Sequence, residues 1–96
     1  MFENNTIAVL IPAYDEEGKI GTVVKRIRQS CSTFVDEIVV INDGSKDKTL
    51  EEARASGANV LNQEKNQGVG AALRRGMYYA LEKNIDIVVV CICVDK

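Results

Sequence analysis

The chain contains no histidine. That absence removes the commonest general base and the commonest metal ligand before any motif is considered. Positive charge is not in excess either. Lys and Arg total 12 against 14 Asp and Glu, a net charge of −2, so electrostatics make no case for nucleic acid as the main partner. A long apolar run is also missing. The last one, Ile87 to Val94, is far short of the ~20 residues that a membrane-spanning helix needs. The first residues, Met1 to Asn5, carry acid and amide groups where a secretory signal would place basic charge ahead of an apolar stretch. Cysteine is scarce and odd in number. Cys31, Cys91 and Cys93 give no paired disulfide framework, and a reducing cytoplasm is the expected setting. Cys91 and Cys93 share one face of a strand. Two thiols without further ligands do not make a zinc site, so they read as buried cysteines.

Two common nucleotide signatures are absent as well. There is no G-x-x-x-x-G-K-[ST], which excludes a P-loop. A dinucleotide fingerprint needs G-x-G-x-x-G in the first strand-to-helix turn, and that turn reads Pro12-Ala13-Tyr14-Asp15-Glu16-Glu17. Gly68 and Gly70 do form G-x-G, but later in the chain and with Leu73 at the third glycine position.

What is present is an ordinary soluble composition, 46% apolar and 27% charged over 96 residues, which suits one small domain spanning 1–96. Short apolar runs alternate with amphipathic stretches. Ile7 to Ile11 reads as a buried strand ending at Pro12. Ile20, Val23, Val24, Ile27 and Cys31 share one helical face. Glu37 to Ile41 is a second strand, closed by the turn formers Asn42, Asp43, Gly44 and Ser45. Asp47 caps a helix that runs to about Ser56, with Gly57 at its end. Asn59 to Leu61 is a short third strand. Leu73, Met77, Ala80 and Leu81 mark a third helix, and Asp86 to Val94 a fourth strand. The order β-α-β-α-β-α-β, with Val- and Ile-rich strands, predicts a parallel sheet with right-handed crossovers and helices on both faces. Ligands of such a sheet sit beyond the carboxyl ends of the strands. The polar loops 12–18, 42–48 and 65–70 fall there. Acidic side chains in those loops suit ribose hydroxyls and base N–H groups, and helix amino termini suit phosphate.

Three segments then carry a resemblance. IAVLIPAYDEEGKI, EIVVINDGSKDKT and NQGVGAALRRGM resemble, in order, three stretches of family 2 glycosyltransferases of the A-type fold. In that family the patterns are P-x-Y-N-E, D-D-G-S-x-D-x-T and N-x-G-x-G-A-A-L-R-x-G. The resemblance covers nearly all of this chain and about the first half of the family's catalytic domain. It implies a three-layer α-β-α, Rossmann-like sheet in the order 3-2-1-4. It also implies a UDP- or GDP-linked sugar donor and transfer to a polyprenyl phosphate or glycan acceptor, with the cytoplasmic face of a membrane as the setting of a full-length relative. By position, Pro12 and Tyr14 match the residues that pack on the base, and Glu16 the one near the ribose. Ile41 and Asp43 match the pair flanking the base edge. Arg74 or its neighbour Arg75 matches an approach to the diphosphate, with Arg74 taken here. Asp15 stands where the family usually has asparagine. Glu17 is read as a first-turn acid complementing the helix dipole.

The family's D-x-D, whose second carboxylate holds Mg²⁺ or Mn²⁺ in the complete domain, aligns with Ile92 and Val94. Neither aliphatic side chain can ligate a hard cation. The expectation is therefore no metal cofactor and no catalytic residue within this chain. A last expectation concerns assembly. The fourth strand lies at an edge and lacks the lysines and prolines that blunt one, so the chain should self-associate through it.

Overall fold

The computed structural model describes residues 5–31 and 33–92. It contains strands β1 (Ile7–Ala13), β2 (Glu37–Asp43), β3 (Asn59–Gln63) and β4 (Ile87–Val90), with helices α1 (Ile20–Cys31), α2 (Thr49–Ala55) and α3 (Val69–Glu82) between them. All pairings are parallel and the sheet order is β3-β2-β1-β4. The expected order therefore holds.

Two apolar layers explain the unbroken hydrophobic runs of the central strands. Alternate residues of β1 and β2 point to opposite faces. Val9, Ile11, Ala13, Ile38 and Val40 meet Ile20 and Val24 of α1 and Ala53 of α2. Leu10, Val39 and Ile41 meet Ala72 of α3 on the other face. Every residue of β1 is buried, as expected of a strand covered on both sides.

Several boundaries differ from the sequence reading, and β1 itself runs on through Pro12 to Ala13. β2 and β3 run two residues further, to Asp43 and Gln63. Their last residues are registered side by side, Asn42 with Asn62 and Asp43 with Gln63. Asn42 Nδ2 donates to Asn62 Oδ1 at 2.9 Å and Gln63 Nε2 to Asp43 Oδ1 at 2.9 Å. Residue types that usually make turns are held in the ladder by one another.

β4 is shorter than expected and ends at Val90. Cys91 N still donates to Leu10 O at 2.9 Å. The next β1 residue facing β4 is Pro12, which has no N–H to continue the ladder. Cys91 and Ile92 follow outside the strand, and Cys93, Val94 and Asp95 lie outside the described residues.

The third helix also rotates relative to its large apolar residues. Ala72, Gly76 and Ala80 form the buried row. Met77 and Leu81 are exposed, Leu81 by 73%. Small residues let the helix lie close to the sheet, and a Cβ at Gly76 would come within 3.0 Å of both Leu10 Cδ1 and Ile41 Cδ1.

Candidate functional site

The carboxyl ends of β1, β2 and β3 finish at one level, because Ala13 is registered with Asn42 and Asn42 with Asn62. Three loops leave from there, and the first two are laced together. Asp15 N donates to Ser45 Oγ (3.0 Å), and Lys46 N to Asp15 Oδ1 (2.8 Å). Asp15 has φ 51°, a left-handed backbone that Asp tolerates better than most residues. Its carboxylate is thereby turned onto the second loop. Glu16 N donates to Thr49 Oγ1 (2.7 Å) and Glu17 N to Asp47 Oδ2 (3.2 Å). Ser45 Oγ in turn donates to Asn42 Oδ1 (2.5 Å), so one chain of bonds runs from β3 through β2 to the β1–α1 loop.

The acids of this region exchange helices. Glu17 precedes α1, yet its Oε1 accepts from Lys48 N at 3.1 Å, at the start of α2. Glu52 sits within α2, yet its two oxygens accept from Gly18 N, in the turn before α1, and Gly21 N, in its first turn, at 2.6 and 2.7 Å. The expectation that Glu17 serves its own helix is therefore corrected. The turn before α1 aims its side chain across the gap, and α1 has no acid in its own first turn.

Asp47 does serve α2, as its residue type predicts. Its Oδ1 accepts from Thr49 N at 2.9 Å and also from the Thr49 hydroxyl. Desolvation, the largest single influence, works to raise its pKa. The bonds from the Thr49 side chain, Thr49 N, Glu17 N and its own N–H outweigh that and hold the carboxyl below its ordinary value.

The third loop is organised by Asp43, which is 3% exposed. Besides Gln63, its carboxylate accepts from Gln67 N at 2.8 Å and Gly68 N at 2.9 Å. Asn66 Nδ2 donates to Asp43 O at 3.2 Å. The loop presses on Gly44, whose φ is +68°. A Cβ there would lie 2.4 Å from Asn66 N and 2.6 Å from the carbonyl carbon of Lys65, so only glycine fits.

Above these loops lies a depression of about 340 Å³ lined by Pro12, Ala13, Tyr14, Glu16, Asp43, Asn66, Gly68, Val69 and Ile92. Four of the six expected residues, Pro12, Tyr14, Glu16 and Asp43, come together in it. Tyr14 is 40% exposed. Glu16 Oε1 is buried with no hydrogen-bond partner among the described residues. Ile41 is fully buried beneath α3 and does not line the depression. Arg74 lies on the exposed side of α3 and does not line it either. Asn66, Gly68 and Val69 join the site from the glycine-spaced segment, which sequence reasoning marked as a motif without giving its residues a role.

Volume alone does not single out this depression. A hollow of about 370 Å³ at the amino end of β2 and β3 is lined by Arg28, Asp36, Glu37 and their neighbours. Position decides, since the carboxyl ends are where a parallel sheet offers its loops.

The two helices that start near the site differ in what they offer an anion. Amides at the start of α1 are occupied by Glu52, Asp47 and Thr49. α3 starts at Val69, after Gly68, with no side-chain cap. Its first-turn amides have no carbonyl partner within the helix. Among the described residues no group of three or more His, Cys, Asp or Glu side chains is placed to hold a metal ion. At the lip of the depression stands Ile92, which offers no oxygen ligand. The described residues do not fit a divalent cation. No described helix is long and apolar enough to cross a membrane.

Comparison with known proteins agrees with this architecture. Residues 8–95 match the family Glycosyl transferase family 2. A glucosyl-3-phosphoglycerate synthase from Mycolicibacterium paratuberculosis is 39% identical over 79 residues, covering 75% of this chain and 24% of its own length. A dolichyl-phosphate beta-glucosyltransferase from Trichomonas vaginalis is 38% identical over 86 residues, covering 77% and 26%. The crystal structure of the Mycobacterium tuberculosis glucosyl-3-phosphoglycerate synthase, in complex with Mn²⁺, uridine diphosphate and glucosyl-3-phosphoglycerate, superposes with a TM-score of 0.80 and 35% identity. It covers 94% of this chain and 34% of that one. The chain thus spans about a quarter to a third of the length of the relatives it matches. With the family match running almost end to end and the A-type sheet order reproduced, the chain belongs to glycosyl transferase family 2.

Proposed function

We propose that the depression above β1, β2 and β3 receives the nucleoside diphosphate of a UDP- or GDP-linked sugar, and that residues 1–96 are the donor-binding part of a hexosyltransferase domain. The observation that carries this reading is the convergence of Pro12, Tyr14, Glu16 and Asp43 on one hollow beside the uncapped start of α3. Pro12 and Tyr14 supply a flat apolar wall for the base. The buried, unpartnered Glu16 Oε1 is an acceptor suited to a ribose hydroxyl. Asp43 forms the floor and fixes the Asn66–Gly68 backbone. The α3 amino terminus is the natural seat for the diphosphate, because its N–H groups and dipole favour negative charge. Arg74 does not line the depression and is left as a charge for the part of a ligand that extends beyond it. Support for a uridine nucleotide comes from the solved relative with bound uridine diphosphate. The acceptor is a polyprenyl phosphate or a glycan, and a relative named for dolichyl phosphate supports the first of these.

The test is calorimetric titration of UDP, GDP and their sugars. We expect weak binding of one diphosphate, weakened in Asp43→Asn by roughly 1–3 kcal/mol through loss of a charge-assisted acceptor. Equal affinity in wild type and variant would remove Asp43 from the site, and no binding of either nucleotide would end the reading. We also expect no metal-dependent sugar transfer by this chain alone, because Ile92 and Val94 occupy the positions of the family's metal-binding acids. Turnover with Mn²⁺ or Mg²⁺ and a polyprenyl phosphate would refute that.

A second reading rests on a separate observation. β4 is an edge strand, and Val89, Val90 and Ile92 are 48%, 43% and 54% exposed. In this reading the chain is a catalytically silent nucleotide-binding module that self-associates through β4. Sedimentation at micromolar concentration should show a dimer or larger species, and a clean monomer would count against it.

A further inference from the structure

We infer that Glu52 is a positioning residue for the nucleotide loop, acting from α2 on the first turn of α1. The inference rests on the donor-binding reading above. A carboxylate with both oxygens engaged by backbone N–H groups is a rigid two-point clamp. Here the clamp joins Gly18 N at 2.6 Å and Gly21 N at 2.7 Å to one side chain. Gly18 has a positive φ of 86°, and the space where a Cβ would stand is open to 4 Å. Gly21 is the reverse case. A Cβ at that position would stand 3.0 Å from Glu52 Oε2 and 3.3 Å from its Cγ, so the missing side chain is what admits the carboxylate.

The clamp bears on the site through short covalent distance. Glu16, whose side chain lines the depression, is two residues before Gly18. Lys19 N and Ile20 N both donate to Glu16 O, at 2.9 and 3.0 Å. Holding Gly18 and Gly21 therefore holds the turn on which Glu16 and Tyr14 stand. The same carboxylate closes α1's amino terminus to other anions.

The measurement is UDP affinity by calorimetry together with amide hydrogen exchange on the same 96-residue chain. Glu52→Ala should weaken UDP binding about tenfold, because the loop must then be ordered at the expense of binding. Exchange at Gly18 and Gly21 should quicken while the Ile38–Ile41 amides of β2 keep their protection. Gly21→Ala is the second variant. It should displace the carboxylate and weaken UDP binding similarly, although alanine favours a helix more than glycine does. Glu51→Ala, an exposed neighbour on the same helix, should bind as wild type does. Unchanged UDP affinity in both Glu52→Ala and Gly21→Ala would overturn the inference. So would a loss of protection spread evenly over the sheet, which marks general destabilisation. A wild-type chain that binds neither UDP nor GDP would fail the donor-binding reading itself, before any variant is compared.

Discussion

The loop cluster above β1–β3 and the flank formed by α3 and β4 are built on opposite terms. In the cluster, polar contacts run between loops, from Asp15 to Ser45 and Lys46, Glu16 to Thr49, and Glu17 to Asp47 and Lys48. On the flank the exposed groups include large apolar side chains. With about 3.6 residues a turn, Tyr79 lies on one side of α3's buried row and Leu73, Met77 and Leu81 on the other. Tyr79 reaches Glu37 on β2 through a hydrogen bond from its hydroxyl. By the strand order, the Leu73–Met77–Leu81 side then faces β4, where Val89 and Val90 are also exposed. The difference teaches that hydrogen bonds hold the loop platform together, while the α3–β4 flank carries open apolar surface. Polar contacts tie the loops to one another, while Met77, Leu81, Val89 and Val90 stay exposed.

The largest expected effect is in the cluster. Gly44→Ala forces a Cβ against two backbone atoms and keeps a positive φ, so it should cost about 3 kcal/mol in urea unfolding. A loss below about 0.5 kcal/mol would mean that the second and third loops are not packed together as described.

Next comes Asp47→Ala, which removes the acceptor for Thr49 N and Glu17 N and should cost about 1 kcal/mol. The sign with pH follows from the depressed carboxyl. Its contribution is present above the unfolded pKa, near 3.8, and is lost as pH falls through the lower folded value. Wild type should therefore lose stability on acidification more steeply than Asp47→Ala. Parallel acid titrations of the two proteins would contradict this.

Tyr79→Phe probes the pinned side of α3. The hydrogen bond to Glu37, then desolvation, then the Glu37 charge push the phenol up to about 12 from 10.0. A folded pKa above the unfolded one gives stability that is intact below pH 10 and lost as pH rises towards 12. The variant should be about 1 kcal/mol less stable at neutral pH. It should also lack the alkaline slope between pH 10 and 12, followed by circular dichroism.

Smallest in stability, and sharpest for the comparison, is Leu81→Glu. A residue 73% exposed should change unfolding free energy by no more than about 0.5 kcal/mol. Any self-association that uses the flank should nevertheless weaken in sedimentation. A large loss of stability in the monomer would show that the flank is not open.

Much of this was legible in the sequence. Apolar runs, helical spacing and, for α2, the end signals Asp47 and Gly57 placed the seven elements of the described residues, and a doubly covered parallel sheet writes its burial as continuous Val and Ile. Four of the six expected site residues meet at one hollow, since their loops follow strands that end level. Ile41 and Arg74 fall away from it for reasons of orientation that spacing does not carry. The buried row of α3 escaped the pattern because Ala72, Gly76 and Ala80 are small, and hydrophobic periodicity is dominated by large side chains such as Met77 and Leu81.

The sequence by itself determined the family, the order of elements, the class of sheet and the position of its loops. These rest on local propensity and on patterns that repeat along the chain. Tertiary structure alone decided which acid serves which helix, that Asp43 is a buried anchor for the third loop, and where the ladder to β4 stops. Each of those depends on hydrogen bonds or missing donors between residues 20 to 80 positions apart, as with Asp43 and Gln63 or Thr6 and Asp86. Such partners are set by the packing of the strands, and nothing in the neighbouring residues encodes them.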